Sequence, residues 1–301
     1  MNARNYLALA VVAGMTPLFF IDLGAWRQVF APEIHIFGHL LYFALLGWLI
    51  LQAPVLQRYS FAKRGIAVLA IALLLGASIE LVQPLFDRTA GFRDVWQNVL
   101  GAAIAVALAA PAGAKRRSIG GLVAVVLFLE LQAPVTSLWD RGVARLQFPV
   151  LSDFSTAFEH RRWSRGQQDD GVTRGGHGSL RVDLPPARFA GTTMRRSLGD
   201  WSDFEALSLS IYNAEPVPLI VTVSIRDDIH LSRGGAYDDR FNRRFQLLPG
   251  WNDIRIPVED VQQAPSERTM RLNRIVELAI FTTNLEQPHR LYLDTVQLTD
   301  S

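Results

Sequence analysis

The sequence predicts a chain of two parts: an all-α transmembrane bundle of about five spans, then an all-β antiparallel sandwich. Three observations lead there. Long apolar runs fill roughly the first 135 residues, short alternating runs punctuated by Gly, Pro, Asn and Asp fill the rest, and a length of 301 residues suits about two domains. The average of 50% hydrophobic residues conceals this division. The expected boundaries are a bundle over residues 1–137, a linker over 138–145 and a sandwich over 146–301. A formal charge of only +2, with scattered basic residues, argues against a nucleic-acid partner. The absence of cysteine excludes disulfides and thiolate metal sites.

A helix needs about 20 residues to cross a bilayer. The expected spans lie near Tyr6–Leu23, Ile34–Leu51, Gly65–Gln83, Val95–Ala110 and Ile119–Val135. The fourth is short and carries Gln97 and Asn98, but its Ala/Gly richness suits close helix packing in lipid. The first has the basic start and apolar core of a signal peptide, yet no small-x-small cleavage site follows it, so it reads as an uncleaved helix. Arg58, Lys63 and Arg64 after the second span, and Lys115, Arg116 and Arg117 after the fourth, mark those loops as cytoplasmic. The expected topology is a chain integral to the cytoplasmic membrane, N-terminus inside, with everything after Val135 extracytoplasmic and the lipid bilayer as one partner.

Polar side chains inside apolar segments are costly and therefore informative. Glu80 and Gln83 lie one turn apart at the outer end of the third span. Asp94, Asn98 and Gly101, spaced i, i+4, i+7, share one face of the fourth. His39 and Tyr42 lie one turn apart near the outer end of the second. Three helices thus offer polar groups at a common depth. Each has a plain structural use as well: Glu80 pairing with Arg88, Asp94 capping a helix, Asn98 joining helices.

These residues carry a resemblance. Phe37-Gly-His-Leu-Leu-Tyr-Phe-Ala-Leu-Leu-Gly, Ile79-Glu-Leu-Val-Gln-Pro, Arg88 and Asp94-Val-Trp-Gln-Asn-Val-Leu-Gly resemble the VanZ-like family of small membrane proteins over roughly residues 10–110. The family pattern is matched at His39, Glu80, Gln83, Arg88, Asp94, Asn98 and Gly101, but a lysine usual three residues before the histidine is replaced by Ile36. The resemblance implies a place in the cell envelope, through the family's association with glycopeptide-antibiotic resistance, without implying a reaction.

After residue 146 the period becomes two. Ala206-Leu-Ser-Leu-Ser-Ile-Tyr, Leu219-Ile-Val-Thr-Val-Ser-Ile, Trp251-Asn-Asp-Ile-Arg-Ile-Pro and Arg290-Leu-Tyr-Leu-Asp-Thr-Val-Gln-Leu read as half-buried strands. Asp169-Asp-Gly, Arg174-Gly-Gly, Leu184-Pro-Pro and Leu248-Pro-Gly supply turns. Trp201 and Trp251 adjoin strand starts and read as core or edge packing. Phe158-Glu159, His177-Gly-Ser-Leu-Arg-Val, Asp200-Trp-Ser-Asp-Phe-Glu-Ala-Leu, the run from Tyr237 to Phe245 and Leu291-Tyr-Leu-Asp294 resemble galactose-binding-like jelly rolls, including carbohydrate-binding modules. That resemblance implies a glycan partner held on one sheet face. The expected ligand residues are Asp227, His230, Tyr237, Arg240 and Asn242, a set of acceptors, forked donors and one ring suited to polyhydroxylated ligands. Glu159 and Asp294 are expected to meet at a structural calcium ion, as in some related modules.

No nucleophile elbow, Walker loop, zinc motif or dinucleotide fingerprint occurs. His35, His39 and Glu80 offer cation ligands, at a spacing that matches no standard site. The leading expectation is a non-catalytic envelope protein whose sandwich binds cell-surface or cell-wall glycan, linked to polysaccharide handling or antibiotic tolerance. The alternative is a membrane-embedded enzyme acting on a lipid-linked glycan or lipid headgroup. Its candidate residues are His39, Glu80, Gln83, Arg88, Asp94 and Asn98, with Glu80 or Asp94 as acid or base.

Overall fold

A computed structural model describes residues 3–20, 32–86, 91–196, 198–232 and 235–300. Arg88 therefore lies outside the described residues. The chain divides into two compact units, Met1–Leu138 and Trp139–Ser301.

The helices are α1 Ala3–Met15, α2 Pro32–Leu51, α3 Phe61–Val82, α4 Phe92–Ala109 and α5 Ala114–Gln147, the last beginning in the first unit and ending in the second. Four of the expected spans coincide with α2 to α5; the first begins on α1, and its residues 21–23 lie outside the described residues. Among the described residues, however, only Phe61–Phe86 and Arg116–Gln147 are long and apolar enough to cross a bilayer; Asn5–Phe19 and His35–Leu51 are shorter apolar helices. The expectation of about five spans is corrected accordingly, and the reasons are local. Pro17 tightens the end of the first segment into a 3-10 turn, Thr16–Phe19. Two histidines open α2, and Arg93, Asp94, Gln97 and Asn98 occupy the start of α4. Residues 138–145, expected as a linker, continue α5, which runs through Pro134 to Gln147.

Small residues set the helix spacing that holds the polar cluster. A Cβ added at Gly101 would stand 2.7 Å from the Leu40 carbonyl oxygen, so α2 and α4 approach along a surface open only to glycine. A Cβ at Gly76 of α3 would stand 2.7 Å from Asn98 Nδ2. The two glycines thereby let three helices close on Asn98. Phe43, Val68 and Ala102 are fully buried beneath it.

The second unit is the expected antiparallel sandwich. Its strands are β1 Val150–Ser152, β2 Gln167–Asp169, β3 Ser179–Leu184, β4 Ala187–Arg195, β5 Ala206–Asn213, β6 Leu219–Asp227, β7 Phe241–Leu247, β8 Gly250–Pro257, β9 Ile275–Leu285 and β10 His289–Thr299. One sheet runs β2-β3-β10-β5-β8, with β1 also paired to β10; the other runs β4-β9-β6-β7. Alternation decides what each sheet buries. Leu207, Leu209, Ile211, Leu291 and Leu293 from the first sheet meet Val221, Val223, Ile225, Leu278 and Ile280 from the second in one core. Each such burial contributes roughly 1.5–3 kcal/mol before entropy is counted. Trp201, also in this core, is fully buried and donates its indole N–H to the Leu198 carbonyl. Trp251 is only partly buried and stands in register with Tyr212 and Tyr292 on the outward face of the larger sheet.

Candidate functional site

Odd-numbered positions of β4 from Phe189 to Arg195 and of β9 from Glu277 to Thr283, with even-numbered positions of β6, face away from the core, and strand register aligns them in rungs. Gly191 of β4, Phe281 of β9, Thr222 of β6 and Arg244 of β7 form one rung. Thr193, Ala279, Ser224 and Asn242 form the next. Arg195, Glu277 and Arg226 form the third, with Arg240 entering from the loop before β7. A groove of about 460 Å³ lies on this face, within the usual range for ligand pockets. Its floor depends on Gly191, where a Cβ would collide with the Ile280 carbonyl and the Phe281 backbone.

Charge in the groove is unbalanced. Arg165, Arg195, Arg226 and Arg240 line it against one carboxylate, Glu277. Arg195 Nε donates to Glu277 Oε2 at 2.6 Å, and Arg226 Nη1 engages Oε1, so two cations grip one buried anion. Arg240 lies with its guanidinium 5.2 Å from the Tyr237 ring centroid. Burial, and then the neighbouring Arg226 charge, push the Arg240 pKa down from its ordinary value. Four buried polar atoms on this face have no hydrogen-bond partner among the described residues: Ser224 Oγ, Arg226 Nε, Arg240 Nε and Asn242 Oδ1. Buried polar atoms are ordinarily satisfied, so donors and acceptors left over together on one face suit a polar ligand. Phe189, exposed, and Phe281 form an aromatic pair at the rim, ring centroids 6.2 Å apart.

Of the five ligand residues expected from sequence, the groove is lined by Arg240 alone; Asn242 shares its sheet face. Asp227 is fully buried and accepts from Arg268 Nη1 and Nη2 at 2.6 and 2.8 Å, from the Arg271 N–H at 2.9 Å and from the His230 N–H at 3.0 Å. Burial pushes its pKa up, but these donors outweigh that and hold it below the ordinary carboxylate value. His230 is buried too, its Nδ1 3.0 Å from the Asp239 carbonyl oxygen. Both residues shape the loop that carries Tyr237 and Arg240. Arg195, Arg226, Glu277, Phe189 and Phe281 were missed, although Phe189-x-Gly191-x-Thr193-x-Arg195 carries a period-two signal.

Glu159 is held by its own loop and Asp294 by the turn at Arg174 and Gly175. Glu159 Oε2 accepts from Ser152 Oγ and the Asp153 and Phe154 N–H groups, and Oε1 from the Thr156 N–H and hydroxyl. Asp294 Oδ2 accepts from the Arg174 and Gly175 N–H groups at 2.6 and 3.0 Å. A calcium ion would meet N–H and O–H donors around these oxygens, a setting that fits a carboxylate anion and does not fit a cation.

In the helical unit, His39 and Asn98 do meet: His39 Nδ1 stands 2.6 Å from Asn98 Oδ1, both buried. His39 Nε2 lies 3.3 Å from His35 Nε2, and His35 Nδ1 lies 4.0 Å from Asp94 Oδ2. Glu80 Oε2 accepts the Gly91 N–H at 2.6 Å, closing the turn between α3 and α4. Gln83 Nε2 donates to the Phe19 carbonyl at 3.3 Å, a tie to the end of the first segment. One ligand atom from each of His35, His39 and Asp94 lies within 4.8 Å of the other two, the one group of three among the described residues with that disposition.

Comparison with known proteins gives the following. Residues 6–113 match the family model described as VanZ/LLP1. The C-terminal half is similar in structure to a Family 11 carbohydrate-binding module from Clostridium thermocellum in complex with a β-1,3-1,4-mixed-linked tetrasaccharide. That match has 16% identity and a TM-score of 0.38, covering 50% of this chain and 95% of that one. It is also similar to an exo-β-agarase, with 12% identity and a TM-score of 0.41 over 50% of this chain and 25% of the other. A Family 30 carbohydrate-binding module of a cellulosomal cellulase from Clostridium thermocellum matches with 13% identity and a TM-score of 0.33 over 45% and 82%. No curated protein sequence matches the chain.

Proposed function

We propose that this chain is a membrane-anchored envelope protein whose sandwich binds an acidic glycan along the groove of the four-stranded sheet. The observation that carries this is the third rung and its surroundings: four arginines against one glutamate, beside buried polar atoms that lack partners. Arginine forks suit carboxylate, sulfate or phosphate groups bidentately, Ser224 and Asn242 suit hydroxyls, and the Phe189–Phe281 rim suits the apolar face of a sugar ring. The basic loops after the second and fourth apolar segments support a cytoplasmic N-terminus. The proposal places the sandwich on the extracytoplasmic side, where surface polysaccharide and cell-wall polymers are found. A role in cell-wall handling or glycopeptide tolerance belongs to this proposal.

The test is binding of the full chain, purified in detergent, to matched acidic and neutral polysaccharides. Arg240→Ala is the informative variant, because Arg240 stacks on an exposed ring and its loss leaves no buried carboxylate uncompensated. Selective binding of acidic polymers, weakened about 10-fold or more in the variant, is expected on losing a charge-assisted contact. Equal binding to neutral polymers, or an unaffected variant, overturns the reading.

A second reading, an enzyme acting on a lipid-linked glycan or headgroup, draws on the convergence of His39, Asn98, His35 and Asp94. Glu80→Gln tests the acid/base role: an envelope phenotype retained in full by a stably inserted variant excludes Glu80 from that role.

A further inference from the structure

We propose that His35, His39 and Asp94 form a binding site for a divalent transition-metal cation of the zinc class. The inference stands apart from glycan binding, since it concerns only the helical unit. His35 and His39 are four residues apart and present imidazoles from one face of α2, while Asp94 comes from the first turn of α4. Two imidazoles and a carboxylate make a ligand set suited to zinc and its neighbours, leaving a coordination position open.

Three features of the geometry favour a shared cation over a chance cluster. First, the two Nε2 atoms are 3.3 Å apart. Two nitrogens bound tetrahedrally to zinc at about 2.0–2.1 Å stand roughly 3.3–3.4 Å from each other, whereas an N–H donor ordinarily approaches to about 2.9–3.0 Å. Second, His39 Nδ1 donates to Asn98 Oδ1 at 2.6 Å. That bond places the proton of the neutral ring on Nδ1 and leaves the Nε2 lone pair directed at His35, the arrangement by which partner residues orient metal-binding histidines. Third, access and fit are both provided. His39 is buried, whereas the His35 and Asp94 side chains are 39% and 23% exposed. A hydrated cation can enter from their side, and one ligand atom from each of the three residues already lies within 4.8 Å of the other two.

Asn98 is then a positioning residue, and Gly76 and Gly101 are the small residues that admit it between the helices. The site shares His39 and Asp94 with the family pattern, while His35 lies outside it. Ile36 stands where the pattern has lysine, and His35 places a second imidazole beside His39.

The test is metal titration of the full chain in detergent, with a tag free of histidine and after chelator treatment. Zn2+ is followed by calorimetry and Co2+ by its visible absorption. The expected result is one equivalent per chain with a Co2+ spectrum of low coordination number. His35→Ala, His39→Ala and Asp94→Asn should each weaken binding at least about 10-fold. Asn98→Leu should weaken it about 10- to 100-fold, while Asn98→Asp, which keeps an acceptor at the same place, should restore most of it. That recovery separates orientation of His39 from a purely structural role. His35→Ala alters a partly exposed side chain and keeps the test valid if the buried variants fail to fold. A wild-type protein that binds no Zn2+ or Co2+ overturns the proposal, as does unchanged affinity in His35→Ala.

Discussion

Replacing Arg268 by Met should destabilise the sandwich strongly and in a pH-dependent way. Arg268 joins two carboxylates: Nη1 and Nη2 donate to Asp227 at 2.6 and 2.8 Å, while Nε and Nη2 donate to Asp239 at 2.6 and 3.0 Å. Asp227 is fully buried, and Arg268 itself is only 11% exposed. Methionine preserves most of the packing of the stem but leaves the Asp227 charge with two backbone N–H donors and no cation. Removing one partner of a buried pair costs about 3–5 kcal/mol, or a fall in Tm of roughly 6–20 °C for a domain of this size. The sign with pH follows from the carboxylates. Both are held below the ordinary value of 3.8, Asp239 chiefly by its bonds to Arg268 and Asp227 by donors that outweigh its burial. Their contribution is therefore present above that value and lost as pH falls through the depressed folded values. The deficit of the variant should be full at pH 7 and narrow below about pH 4, where Asp227 can shed its charge. Thermal unfolding of wild type and variant across this range, read by near-UV circular dichroism, measures both. A deficit below about 1 kcal/mol at pH 7, or one independent of pH, refutes the reasoning.

Three further outcomes are expected. Gly191→Ala should lower sandwich stability by about 1–3 kcal/mol and deform the groove, because the new methyl group meets the β9 backbone; an unchanged Tm contradicts the close approach of β4 and β9. Gly101→Ala should destabilise the helical unit by a similar margin, about 1–3 kcal/mol, through the Leu40 carbonyl. Detergent unfolding read by far-UV circular dichroism checks this, and a neutral result would mean that α2 and α4 are further apart. Glycan binding should weaken several-fold between low and high salt, since the groove arginines are partly open to solvent and a Debye length shrinks from about 10 Å at 0.1 M to about 3 Å at 1 M. Salt-independent affinity, measured by calorimetry, contradicts recognition by charge.

Local features were readable from the chain; features set by distant partners were not. The helices followed from apolar run length, and the meeting of His39 with Asn98 followed from turn spacing at a common depth. The four strands read from alternation are β5, β6, β8 and β10. The count of spans was overestimated because run length alone ignores the 3-10 turn at Pro17 and the polar start of α4. The helix over residues 138–145 was hidden by its mixed composition; there Asp140 accepts from Arg162 Nη2 at 2.7 Å, a partner 22 residues away. The groove was least legible. Arg195 and Glu277 are 82 residues apart, and only the pairing of β4 with β9 makes them neighbours. Asp227 and His230 looked like ligand donors for the converse reason: Arg268, 41 residues from Asp227, turns the carboxylate inward. The sequence offers His35, His39 and Glu80 as cation ligands without a standard spacing; in the structure Glu80 Oε2 accepts the Gly91 N–H, and Asp94 is the carboxylate beside His35.

The central claim is that the groove reads negative charge on a sugar polymer. Competition between a uronic-acid polysaccharide and its carboxyl-reduced counterpart for the full chain isolates that property, because the two polymers differ only at the carboxyl group. The account predicts that the acidic polymer binds at least about 10-fold more tightly, one charge-assisted contact being worth about 1.4 kcal/mol or more, and that Arg240→Ala removes most of the difference. Equal affinity for the two polymers contradicts it.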